Sequence, residues 1–566
     1  MQPRTQRSLL LLLGCLLASS CASSPTREAS RAADANSAIT HPAAQIAHSL
    51  HGVVASATVD ATAVGAHVLA QGGNAVDAAV ATAFALAVTE PSMSGLGGRA
   101  SILLREPDGT VVGIDGLNQV PTIYKEKSGV PEPYERAAIP GVPAALAHVL
   151  AAHGTWPLAR VLQPAIDLAA HGFILGAAEA DRWAAAREQL AAFGGGRGTY
   201  LRANGSVWRA GERVANPQLA DTLRRLATDG VDAFYRGTIA DAIDADMRAN
   251  GGFVQREDLA AYRALPALLV RGTYRGHDIH ANFRPAAGQA VVQALQTLEQ
   301  LDVPARGDDV RWAAVVGQTM HWALTDRSMR RGTEAESAAF LTSLDHAKDR
   351  ATRVVMPPEV VLDAVRHAEP FQGAGFLVPR GTLVTAPNDR EATTHLSVAD
   401  AEGRVVALTQ SLGPSMGTRL VAPGLGFLYA TRLGTAPGSR PASTVSPTIV
   451  IAPGGRVVAL GGAGDSRIIS AVIQVISRLV DHQMTLPEAM LAPRVHPDAE
   501  RTLRVEEGPL SAWSAGDRAL LAEWGFKLVP SPAGFFGRVH AVDTVPGGHV
   551  SGVAEPRWTG GAAGPK

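Results

Sequence analysis

The sequence predicts a layered α/β protein with largely antiparallel sheets. Three observations carry this: helical apolar spacing dominates to about residue 330, two β-hairpin signals appear in the last third, and an amphipathic helix follows the second. In chain order, residues 61–71 carry Val64, Val68 and Leu69 at helical spacing and stop at Gly72-Gly73, a helix-ending pair. Asn74 can cap the next helix, which runs through Val76, Val80, Ala83, Phe84 and Ala87. Residues 101–104 and 111–115 read as paired strands across Pro107-Asp108-Gly109. Helices are then expected to dominate, including 144–152, 161–170 and 239–249. Further on, 394–399 and 404–411 are β-rich runs joined by Asp400-Ala401-Glu402-Gly403. Residues 448–451 and 456–460 flank Pro453-Gly454-Gly455 in the same way. Residues 466–479 place Ile468, Ile469, Val472, Ile473 and Ile476 on one helical face.

Composition narrows the function. The 566 residues carry a formal charge of −1, which argues against nucleic acid as the main partner, because phosphate binding needs a basic surplus. With 46% hydrophobic and 18% charged residues, the chain reads as a globular protein rather than a disordered one. The two cysteines, Cys15 and Cys21, leave the rest of the chain without a disulfide, a Cys-ligated metal or a cysteine nucleophile. Arg4 and Arg7, then a short leucine run, mark residues 1–20 as a signal peptide too short to span a bilayer. Ala18, Ser19 and Ser20 lead into Cys21 in a pattern that resembles a bacterial lipoprotein cleavage box, with Cys21 lipidated. A plain signal peptide cut nearby is the other reading. Residues 21–50 read as a flexible tether. The expectation is an exported protein of the periplasm or cell envelope, attached to membrane through the lipid only.

Three stretches could carry chemistry. Gly413-Pro414-Ser415-Met416-Gly417 has the letters of a nucleophile elbow, but the residues after it do not read as the helix such an elbow needs. Gly461-Gly462-Ala463-Gly464-Asp465-Ser466-Arg467 joins a strand to a helix, and such a turn aims backbone N–H groups at one point. It lacks the lysine of a phosphate loop, and Arg467 stands where a dinucleotide fingerprint needs glycine. Taken alone, a tight structural turn explains it as well. Glu391-Ala392-Thr393-Thr394-His395 opens a strand; threonine pairs are common there, and His395 reads as packed or hydrogen-bonded rather than as a base.

These pieces together resemble the γ-glutamyltranspeptidase family, self-cleaving N-terminal-nucleophile hydrolases, over nearly all of residues 50–560. The matching stretches come in the family's order: Gly72-Gly73-Asn74-Ala75-Val76-Asp77, Glu90-Pro91 leading to Ser94-Gly95-Leu96-Gly97-Gly98, Pro140-Gly141-Val142-Pro143, and Asp232-Ala233-Phe234-Tyr235-Arg236-Gly237. Thr393-Thr394-His395, Arg440-Pro441, Ser446-Pro447-Thr448, Ser466-Arg467-Ile468-Ile469 and Ala492-Pro493-Arg494 follow. The resemblance implies a four-layer αββα sandwich with two largely antiparallel sheets between helices. It implies cleavage between Ala392 and Thr393 into a large subunit, 51–392, and a small one, 393–566, that build one composite domain. Thr393 would then be both nucleophile and new N-terminus, its α-amine (reference pKa near ~8) the base for its own hydroxyl. Gly464 and Asp465 take the positions of the family's oxyanion-hole pair. Substrates would be small-molecule or peptide amides; neither cofactor nor metal is implied.

The family's substrate clamp has changed. Asp115-Gly116 is followed by Leu117, where the family has the arginine that grips the glutamyl α-carboxylate. Ser411-Leu412-Gly413 replaces Thr-x-Asn, and Ala430-Thr431-Arg432-Leu433-Gly434 has no acid for the α-amine. Ser443-Thr444 keeps most of a Ser-Ser pair. Charge-assisted bonds are worth about 1.5–3 kcal/mol each, so losing both ends should cripple grip on a zwitterionic γ-glutamyl group. Arg432 or Arg99 is the candidate replacement cation. The function expected is a threonine amidohydrolase or acyltransferase acting on γ-glutamyl or other acyl amides. An acylase-like relative that rejects γ-glutamyl groups, a non-enzymatic relative, and a serine hydrolase using Ser415 are the alternatives.

Overall fold

The computed structural model describes residues 45–359 and 392–565. The expected signal peptide, Cys21 and the tether as far as residue 44 lie outside the described residues. Two seven-stranded sheets form the centre. The first runs, edge to edge, Ile46–Ser49, Val550–Val553, Arg538–Thr544, Val457–Ala463, Thr448–Ile451, His277–Asn282 and Leu269–Tyr274. The second runs Gly561–Ala563, Gly52–Ser56, Ala392–Asp400, Val405–Gly413, Arg99–Arg105, Val111–Gly116 and Leu265–Pro266. Neighbours in both sheets are antiparallel.

Alternation along the strands decides what each face meets. Val53, Ala55, Leu103, Ala399, Val405 and Ala407 of the second sheet pack on Ile449, Val457, Ala459 and Val542 of the first. The residues between them point outward: Leu396, Val398, Val406 and Leu408 join a core built on the Ala75–Thr89, Val142–His153 and Leu158–His171 helices. On the far side, the Gly288–Glu299, Asp309–Asp326 and Ser466–Val480 helices cover the first sheet. The order is helix, sheet, sheet, helix, the four-layer sandwich expected. Ala75–Thr89 is buried along its whole length, which its run of alanine and valine permits, and the predicted Asn74 cap closes a box with Asp77.

Two expectations change. The helical stretch before residue 330 is interrupted by Leu269–Tyr274 and His277–Asn282, paired across Arg275-Gly276. This is a half-exposed edge hairpin, rich in charge and histidine, so its apolar residues give a weak strand signal. The tether also ends sooner than residue 50, because Ile46–Ser49 pairs with Val550–Val553. Both sheets contain strands from each side of the Ala392–Thr393 bond. Among the described residues, no helix is long and apolar enough to cross a membrane.

Candidate active site

The ladder register assembles the site. Ala392 pairs with Gly413, the register shifts, and Thr393 then pairs with Ser411, which itself pairs with Arg99 on the next strand. Directly opposed residues share a face of a sheet. Thr393, Ser411 and Arg99 therefore form one buried row at the end of the second sheet, on the side toward the first. The Thr393 hydroxyl donates to Ser411 Oγ at 3.2 Å. Ser411 in turn donates to the Ala392 carbonyl oxygen at 2.5 Å and accepts from the Gly413 amide at 3.0 Å. Every hydrogen-bonding position of the Ser411 hydroxyl is thus filled. One side chain ties the Thr393 hydroxyl to the carbonyl of the bond just before it.

His395, two residues on, accompanies this row without joining it. Its ring bonds the Thr409 and Ser397 hydroxyls at 2.8 and 3.0 Å. Burial, with the neighbouring His540, holds its imidazole well below the usual histidine range. It is a neutral packed residue, as the sequence suggested. Gly461 lies against the ring, so the strand Val457–Ala463 faces the Thr393 strand across the sandwich. That strand leads directly into Gly464 and Asp465 and the helix Ser466–Val480. Arg467 fixes the turn: its backbone N–H and its Nε donate to the Gly464 carbonyl at 3.2 and 2.6 Å. A trans peptide sets C=O and N–H opposite one another, so the Asp465 N–H points away from Arg467. Among the described residues, neither the Gly464 nor the Asp465 amide has an acceptor. Asp465 sits at φ 57°, where glycine is at ease and aspartate is not.

Two of the clamp residues, Leu117 and Arg432, line a tight gap with Arg99 that is closed to a water-sized molecule. Arg99, Leu117, Asn118, Arg432 and Pro441 contribute, and none of the lining residues is acidic. Leu117 packs with Ala286 and Val445, next in chain to Ser443-Thr444. Ser443 is anchored by its amide to the Pro285 carbonyl at 2.7 Å. Asp115 is occupied by Arg440 at 3.0 Å. The two candidate cations differ. The Arg432 guanidinium is spent on the Glu135 and Gly434 carbonyls and the Tyr124 hydroxyl, and lies 3.8 Å from the Tyr124 ring centre. Arg99 stands in the Thr393 row itself.

Sequence reading assigned no role to a charged cluster behind the strand. Thr394 points the other way from Thr393, toward Glu90. Burial pushes the Glu90 carboxyl up to about 7, against the pull of Arg182 at 3.7 Å. Arg182 also bonds Glu179 at 2.8 Å, and Glu179 holds Ser92. These residues come from separate helices and a loop, so no local pattern could bring them together. Ser415 lies in a turn closed by Gly417 N–H to Pro414 O at 2.7 Å, with no helix following. No histidine bonds Ser415 among the described residues.

Comparison with known proteins finds relatives along nearly the whole of the described chain. The gamma-glutamyltranspeptidase family model matches residues 61–565. A glutathione hydrolase proenzyme of Escherichia coli (strain K12) is 32% identical, across 89% of this chain and 90% of its own. The acylase ACY 1 proenzyme of Pseudomonas sp. (strain SE83) is also 32% identical, across 87% of this chain and 90% of its own. A solved cephalosporin acylase from Bacillus halodurans superposes with a TM-score of 0.79 at 25% identity, covering 92% of this chain and 97% of that one.

Proposed function

Because the chain belongs to the gamma-glutamyltranspeptidase family, we propose that it cuts itself between Ala392 and Thr393 and then works through Thr393. It is a gamma-glutamyltransferase-like N-terminal-nucleophile hydrolase or transferase. The observation that carries the cleavage reading is the bridge from Thr393 Oγ through Ser411 Oγ to the Ala392 oxygen. Thr393 Oγ attacks the Ala392 carbonyl carbon and passes its proton to Ser411. Ser411 gives its own proton to the carbonyl oxygen. Collapse of the adduct passes that proton from the oxygen to the nitrogen as the C–N bond breaks, leaving an ester on Thr393 and a free amine. Water then releases Ala392 as a carboxylate.

In the mature enzyme that amine takes the Thr393 hydroxyl proton as the side chain attacks a substrate amide. The Gly464 and Asp465 amides, free of other acceptors, hold the oxyanion. The amine half leaves, and water or a second amine takes the acyl group. The relatives include both glutathione hydrolases and acylases. Leu117 and the acid-free lining around it favour acyl amides other than γ-glutamyl ones, with Arg99, in the Thr393 row, as the candidate cation.

Denaturing electrophoresis and intact mass of wild type and Thr393→Ala test the reading. Two pieces in wild type, the smaller starting at Thr393, and one uncut chain in the variant are expected. An uncut wild type sinks it. The same masses report on export: a lipid-bearing N-terminus at Cys21 is expected, and a cut elsewhere within residues 1–44 means an unanchored protein.

A further inference from the structure

A cavity of about 110 Å³ opens behind the strand that carries Thr393 and Thr394, on the face away from the reacting row. Nothing in the proposed reaction uses it. Glu90, which closes the Ala75–Thr89 helix, forms its floor, and Asp60, in the first turn of Val59–Ala70, stands at its mouth. Val59 and Ile174 give the mouth an exposed apolar rim. A single water needs about 10–15 Å³ of such space, so the cavity holds more than one water and less than a drug-sized molecule.

Its polar groups are unevenly served. Glu179 is fully engaged by Ser92, Trp183 and Arg182. Arg182 is drawn toward Glu179, the Ser92 hydroxyl and the Trp558 ring, and passes Glu90 at 3.7 Å, beyond hydrogen-bond reach. Glu90 is 3% exposed, yet its Oε2 has no hydrogen-bond partner among the described residues. The half-buried Asp60 carboxylate feels the Arg213 charge without pairing with it, and no donor among the described residues meets it. Burial raises both carboxyls, Glu90 to about 7. A buried carboxylate is costly until donors reach it, and a cation supplies donors and charge together. The lining sets Asp60, Glu90 and Glu179 against Arg182, so its balance is acidic. We infer that this cavity binds a small primary alkylammonium ion, its nitrogen between Asp60 and Glu90 and its carbon tail toward Val59 and Ile174. The inference stands apart from the proposed reaction, because the site lies on the other face of the sheet and takes nothing from Thr393.

The test needs no turnover. Wild-type protein is titrated calorimetrically with propylammonium chloride, with 1-propanol, and with sodium chloride at matched ionic strength. Saturable binding of propylammonium, and of neither control, is expected. Affinity should rise about tenfold from pH 6 to pH 8, as Glu90 gives up its proton in the field of Arg182, Glu179 and Arg538 with Asp60 across the cavity. Glu90→Gln should flatten that rise. Asp60→Asn, a near-isosteric change at a partly exposed position, should weaken binding at pH 8 at least about tenfold with the melting temperature held. Propanol bound as well as propylammonium, or equal heats from propylammonium and sodium chloride, would leave a merely apolar or water-filled cavity and overturn the site. Equal affinity in wild type and Asp60→Asn, or a flat pH profile in wild type, overturns the placement between the two carboxylates.

Discussion

In the proposed function, Arg99 is the residue whose part in substrate choice can be tested most directly. Replacing the family's arginine by Leu117 removes one cation, but Arg99 lines the same gap from the strand beside Ser411. With no acid in that lining, the proposed reading gives Arg99 an acyl-chain carboxylate to hold and gives an α-amine no partner. Arg99→Leu should leave self-cleavage intact and raise KM at least about tenfold for acyl chains ending in carboxylate. A neutral chain of equal length is the control, and an equal change on both would remove Arg99 from acyl recognition. Thr393, Ser411 and Leu117 were legible because each stands inside a recognisable string of residues. Arg99 was named from the sequence as a candidate cation, but its place in the Thr393 row was not legible, since a residue two strands from Thr393 becomes a neighbour only through ladder register.

At the scale of single elements, the strand Val457–Ala463 does two jobs. Its end delivers the Gly464-Asp465 amides, and its middle must leave room for the His395 ring. A Cβ on Gly461 would sit 2.4 Å from the His395 ring, which is held on both nitrogens and has nowhere to swing. Gly461→Ala should cost about 1–3 kcal/mol of stability, the usual range for overpacking. Urea unfolding checks it, and a loss below ~0.5 kcal/mol would mean that the two sheets part easily here. Hairpins with a buried face were read correctly from alternation and turn residues: 394–399 lies within Ala392–Asp400, and 448–451 matches Thr448–Ile451. The Leu269–Tyr274 and His277–Asn282 pair escaped notice because an edge strand keeps polar residues on its open side.

Over the whole molecule, periodicity gave a layered α/β class and the family resemblance gave the layer order, whereas the joints between layers were not legible. Glu90 is such a joint, placed where the Ala75–Thr89 helix meets the strand of Thr394. Its carboxyl lies near 7 when folded against an ordinary 4.5, so between those values the native state keeps a proton that the unfolded chain releases. Stability from this group is greatest below the lower value and falls as pH rises to the upper one. Glu90→Gln has no such slope, so wild type should lose ground to it from pH 5 to pH 8 in urea midpoints. Parallel curves would mean that Arg182 holds Glu90 ionised throughout. The interleaving of strands has a different kind of consequence. A molecule cut at Ala392–Thr393 is two polymers woven through both sheets, with no surface along which they could part while folded. Once unfolded, however, the two strands of protein must find each other again, so recovery becomes a second-order reaction that dilution defeats. The uncut precursor can refold on its own; the cut one depends for its lifetime on never opening, and persistence becomes a matter of unfolding rate rather than equilibrium.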